Sequence, residues 1–173
     1  MKAPKLIAAC LLAFACQVSV ANDAVGANPG AELRAFFDDY LSVYNRRFGR
    51  PERSAQFRED LGKVVRMPVL QVPPQGAPFA PESVASLGAN FERFVTMLEQ
   101  RGVAKLEWEE VDIHPLTANK ALANNVGRGV NEAGETVYET VSLYLLHRDD
   151  EGWRISLFSP YNVDNRLLIG PEL

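Results

Sequence analysis

After Gly102 the apolar residues of this chain stop recurring every three or four positions and begin to alternate. That change of period, halfway along 173 residues, constrains the fold more than any other feature of the sequence. Ahead of it lie helices, and behind it four long strands: Ala104–His114, Asn119–Val130, Glu135–His147 and Gly152–Tyr161. Asn131-Glu132-Ala133-Gly134 and Asp149-Asp150-Glu151 are turn sequences, so the last three strands form a meander. In the first strand Leu106 and Trp108 keep one phase, and Val111 and Ile113 keep the other. An extra residue at Glu109-Glu110 would make that a β-bulge. Pro115 is expected to close this strand, and Gly127 and Gly129 to mark a kink or a close approach within the second.

The first half supplies the cover. In Ala31–Phe48, Leu33, Phe36, Phe37, Tyr40, Leu41, Tyr44 and Phe48 form a helical stripe, with Asp38, Asp39, Arg46 and Arg47 assigned to the other side. Residues 50–63 mix basic and acidic side chains with little periodicity and read as a short helix or a solvated loop. Val64–Val72 has β character, and Pro68 confines it to an edge or a bulge. A second helix opens at Pro81-Glu82-Ser83, buries Val84, Leu87, Phe91, Phe94, Val95 and Leu98, and ends at Arg101-Gly102. The order predicts an α+β fold: a curved antiparallel sheet forming a cone, closed by the N-terminal helices. One domain over residues 31–165 accounts for the pattern. A cone that its own side chains leave unfilled is a pocket.

Residues 1–21 are set apart. Lys2 and Lys5, an apolar run of about eleven residues and Ser19-Val20-Ala21 read as a secretory signal peptide, too short for a membrane span. Cleavage after Ala21 predicts a periplasmic or secreted protein. Lipidation at Cys10 or Cys16 is the lesser alternative. Those are the two cysteines of the chain, so after Gln17 there is no disulfide, thiolate metal site or cysteine nucleophile. The formal charge of −4, with no basic cluster, argues against a nucleic-acid partner. His114 and His147 lack metal-ligand spacing, and phosphate and dinucleotide loops are missing. Neither a metal nor a cofactor is expected.

Polar groups for chemistry must therefore come from tyrosines, hydroxyls and carboxylates. Tyr138, Thr140, Ser142 and Tyr144 share one face of the third long strand, while Val137, Glu139, Val141, Leu143 and Leu145 share the other. Both faces are largely uncharged, as if one were covered by helices and one by a second subunit, which predicts a homodimer through the sheet face.

The helices FFDDYLSVYNRRF and PESVASLGANFERFVTMLEQRG, with the meander ending HRDDEGWRISLFSPYNV, resemble the nuclear transport factor 2-like superfamily in its SnoaL-like and ketosteroid-isomerase-like branch, over residues 31–165. The resemblance implies a dimeric cone of curved sheet. It also implies an oxyanion-hole tyrosine on the opening helix, where Tyr40 stands, and a general-base carboxylate just before a proline in the first β segment. Before Pro68 stands Met67, which cannot take a proton. On the long strand the implied protonated acid is matched only by Ser142. Asp39 is a candidate substitute carboxylate.

The expected function is therefore binding of a small organic molecule by Tyr40, Tyr44, Met67, Tyr138, Ser142 and Tyr144. A cofactor-independent isomerase, cyclase or dehydratase, with Tyr40, Asp39 and Ser142 as its catalytic candidates, is the alternative. A structural or protein-interaction domain with a filled cone is the third reading.

Overall fold

A computed structural model describes residues 29–165. The leader assigned to residues 1–21, with Cys10 and Cys16, lies outside them. The order is α1 (Pro29–Asn45), a 3-10 turn (Pro51–Arg53), α2 (Ser54–Val64), β1 (Val65–Gln71), α3 (Val84–Gln100), then β2 (Lys105–Thr117), β3 (Lys120–Val130), β4 (Thr136–Asp149) and β5 (Gly152–Tyr161). A last 3-10 turn covers Val163–Asn165. The sheet runs β1-β5-β4-β3-β2 and does not close on itself.

The helix-then-meander order matches the change of period in the sequence. Strands β2 to β5 pair antiparallel with one another in succession. Strand β1 is the correction, since it pairs parallel with β5, Val65 beside Ile155 and Gln71 beside Phe158. The sheet is thus mixed. Its direction could not be read locally, because β1 joins a strand far along the chain with no connecting turn to fix the sense.

Of the two readings of residues 50–63 the helix holds over 54–64, where Phe57 and Leu61, four apart, are both buried. Two differences are local. Strand β2 does not stop at Pro115. It continues to Thr117, with Pro115 opposite Ala121, since an edge strand can lack one N–H. In β5 strict alternation fails at Ser156: Leu146 pairs with Ile155 and Leu145 with Leu157. The slip brings Phe158, opposite Tyr144, to the same face as Ile155. The slip expected at Glu109 is present, with Trp108 facing Gly127 and Glu110 facing Val126. It turns Leu106, Trp108, Val111 and Ile113 all toward the helices.

The core lies between the helices and the concave face of the sheet. Leu33, Phe37, Tyr40 and Tyr44 of α1 and Leu87, Phe91, Val95 and Leu98 of α3 are buried against Ala123, Tyr144, Leu146 and Ile155. Strand β3 offers that core a row of small residues, Ala121, Ala123, Gly127 and Gly129. A Cβ on Gly129 would stand 2.7 Å from Val103 and 3.1 Å from Tyr138, so the close packing expected there is real. Ser83 caps α3 through a reciprocal pair with Ser86.

Helix α1 is strapped along β2 by polar groups. The Trp108 indole donates to the Phe37 carbonyl at 3.0 Å, and Arg34 donates to the Val111 carbonyl at 3.2 Å. Asn45 both donates to the Leu106 carbonyl (2.9 Å) and accepts from the Leu106 N–H (2.8 Å). Arg47 is not on the solvent side, as the helical pattern suggested. It is 4% exposed and lies 3.0 Å from Glu92 and 3.3 Å from Glu99, both on α3. The helix has already ended at Asn45, so the rotation of its stripe no longer predicts where Arg47 points. Among the described residues no helix is long and apolar enough to cross a membrane.

Candidate functional site

Two adjoining cavities open the interior between α1, α3 and the concave sheet. The outer groove, about 310 Å³, is lined by Phe91, Phe94 and Met97 of α3 and by Tyr138, Phe158 and Pro160 of the sheet, among others. The inner chamber, about 40 Å³, is bounded by Tyr40, Tyr44, Trp108, Ser142 and Tyr144. Phe94, Thr140 and Phe158 belong to both walls, so the groove and the chamber adjoin. The outer volume sits at the lower end of the small-molecule range, and the inner one holds only a few atoms. The deep end of the cone is mostly filled by aromatic rings, and the mouth is open.

The chamber wall is built from two elements. On α1 a four-residue step brings the Tyr40 and Tyr44 hydroxyls to 3.1 Å, with the rings edge-on at 5.3 Å. From β4, Tyr144 packs against Phe37 (5.2 Å), Phe158 (5.4 Å) and Tyr40 (6.1 Å). All three phenols are buried. Burial pushes each well above its ordinary value of 10.0, and the charge of a neighbouring ionised tyrosine would push it further. They stay neutral hydroxyls. Ser142, also buried, adds one more.

The other sequence candidates lie elsewhere. Tyr138 stands at the groove, its ring 6.2 Å from Phe94 with the Arg101 guanidinium 5.5 Å over it. Met67 is half-buried and packs on the core, outside the walls of both cavities. Asp39 is exposed, and so is Asp38. At 100° per residue they sit roughly 130° from the centre of the buried stripe, too far to reach inward. Glu139 is exposed and Arg66 pairs with Asp149 at 2.7 Å. Glu107 borders the chamber, but its carboxylate bonds Arg128 at 2.8 Å and Lys105 at 3.1 Å, and those bonds hold it below the usual carboxylate range. No His, Asp or other Glu lines either cavity. Among the described residues no three His, Cys, Asp or Glu side chains group as metal ligands. His114 is half-buried and contacts Asp112 at 3.2 Å.

Sequence reasoning missed Trp108 and Phe158 as wall residues and Asn125 altogether. Phe158 depends on the slip at Ser156, whereas Trp108 keeps the phase of Leu106 ahead of the Glu109 slip and could have been placed on the wall from it. Asn125 lies on the concave face of β3, directly opposite Ser142, and is fully buried.

Several solved structures are similar to this chain. A domain of unknown function with a cystatin-like fold from Nostoc punctiforme PCC 73102 matches at 22% identity and a TM-score of 0.57, over 84% of this chain and 80% of that one. An NTF-2-like protein of unknown function from Shewanella oneidensis MR-1 matches at 11% identity and a TM-score of 0.57, over 78% and 99%. A protein from Agrobacterium tumefaciens strain C58, named as a candidate isomerase of the SnoaL-like family, matches at 15% identity and a TM-score of 0.53, over 76% and 97%. At such identities the likeness speaks for the fold alone. No curated protein matches. The family profile described as "NTF2-like protein (DUF6841)" covers residues 31–163, and with the helices, curved sheet and concave cavity in place, the chain belongs to that NTF2-like family.

Proposed function

We propose that this protein is a secreted or periplasmic binding domain, residues 31–165, for a small organic molecule with an apolar body and a neutral polar end. The body lies in the groove formed by Phe91, Phe94, Met97, Tyr138, Phe158 and Pro160, and the polar end points to Tyr40, Tyr44, Ser142 and Tyr144. One observation carries the reading. An apolar groove of ligand size adjoins a small, mostly apolar chamber bordered by Tyr40, Tyr44, Ser142 and Tyr144, with Phe94, Thr140 and Phe158 shared by the two.

The enzymatic alternative draws its support from the family alone, which hosts unrelated chemistries. A proton-transfer mechanism needs a base near the substrate. Met67 stands at the implied position, and the one carboxylate residue bordering the chamber, Glu107, is bound to Arg128 and Lys105. Binding is the reading the geometry favours.

A thermal-shift screen of apolar and mildly polar fragments tests it. Stabilising hits are expected, and Tyr40→Phe should weaken those that hydrogen-bond in the chamber by about 0.5–1.5 kcal/mol. A screen without hits, or hits indifferent to bulky substitutions at Phe94 and Thr140, would overturn the proposal.

A further inference from the structure

Asn125 differs from every other buried polar side chain described above. It is 0% exposed, yet neither its amide nitrogen nor its amide oxygen has a hydrogen-bond partner among the described residues. Buried carboxamides are normally paired, because taking them out of water otherwise goes uncompensated. Asn45 shows the normal case in this molecule, giving and receiving one bond with the Leu106 backbone. Asn125 has the same two functions and no such partner.

Its position gives the unpaired group a direction. Register places Asn125 opposite Ser142, and two residues along the same strand Gly127 lies opposite Thr140. Ser142, Gly127 and Thr140 all line the inner chamber, so Asn125 adjoins it on the same face of the sheet. Gly127, on the same face beside Asn125, is closely covered by Thr140 and Trp108. A Cβ there would already be 3.3 Å from both Thr140 and Trp108.

Resting on the binding role given above, we infer that Asn125 is the polar anchor of that site and selects a ligand whose head carries a hydrogen-bond donor and acceptor side by side: a primary carboxamide, a lactam or an imide. The ligand's N–H meets the Asn125 oxygen and its carbonyl accepts from the Asn125 nitrogen. A carboxylate head is disfavoured. It offers no donor to the Asn125 oxygen, and the surrounding hydroxyls carry no compensating positive charge. An aliphatic or plain aromatic head would leave the pair unmet. The apolar groove fits an aromatic or alicyclic body behind the head.

Three fragments of one shape test this on the wild-type chain: benzamide, benzoate and toluene, titrated by ligand-observed NMR. Benzamide is expected to bind about tenfold tighter than toluene, the gain of two neutral hydrogen bonds, and tighter than benzoate. In Asn125→Leu, which keeps the branched shape without the polar atoms, the preference for benzamide should vanish while toluene binding stays. Asn125→Ala gives the same comparison should the leucine variant not fold. Benzamide and toluene binding equally, benzoate binding best, or a benzamide preference that survives both variants would overturn the role of Asn125 and leave the binding groove standing. Failure of all three fragments to bind would overturn the groove, and the anchor with it.

Discussion

The three phenols at the deep end of the cone share one electrostatic condition. Each is almost wholly buried, so ionising any of them in the folded chain is harder than in the unfolded chain. The sign of the consequence follows from proton linkage. Between the ordinary value of 10.0 and the raised native values, the unfolded state has lost protons the folded state still holds, so stability falls as pH rises through that window. Below it the contribution is fully present. Thermal unfolding followed from neutral pH to above pH 10 should show this loss, and tyrosinate absorbance should rise together with unfolding, not before it. A variant with Phe at Tyr40, Tyr44 and Tyr144 should lose stability less steeply. Tyr40 and the Tyr138–Tyr144 face were legible in the sequence because helical and strand periods place them before any contact is known. Asn125 was not. It stands in a run of small residues, ANNVGRG, where nothing local marks which side chain lacks a partner.

The elements are held to one another by polar ties that their own periods do not announce. Arg47, buried between Glu92 and Glu99, fastens the exit of α1 to α3. Arg47→Ala leaves two partly buried carboxylates without their counter-charge and should lower stability by about 2–4 kcal/mol in urea melts. Arg46→Ala, which removes an exposed pair with Asp60, should cost under about 1 kcal/mol. Equal effects would contradict the burial of Arg47. A companion measurement concerns close packing: Gly129→Ala places a Cβ 2.7 Å from a Val103 methyl, and should destabilise by about 1–3 kcal/mol through overpacking. At this scale the sequence is readable wherever a period is sustained. α1, α3 and the meander strands all emerge from it. It fails where a single slipped residue inverts the pattern, as at Ser156, and where pairing is remote, as for β1 against β5.

Across the whole molecule the helices cover one face of the sheet, and Leu122, Leu143, Leu145 and Leu157 remain half-buried on strand positions facing the other way. That convex face is the expected contact between two copies of the chain. Sedimentation at micromolar concentration should give a dimer, and Leu143→Glu should shift it to a monomer. A monomeric wild-type chain would end that proposal. Export is a separate matter: fractionation should place the processed chain in the periplasm or medium, and detergent-dependent release would favour the lipid anchor instead.

Two of the three prolines inside strands bear on the same question from another side; the third, Pro160, lies near the end of the interior strand β5. Pro68 lies in β1 and Pro115 in β2, the two outermost strands of an open sheet. Pro115 interrupts the β2 rim and the Glu109 slip bends it further, while at the β1 rim Gln71 is already paired with Phe79. Growth of the sheet sideways, the route by which exposed strands polymerise, is thus hindered at both margins. A molecule protected in this way can present an apolar sheet face for pairing without also inviting fibrils.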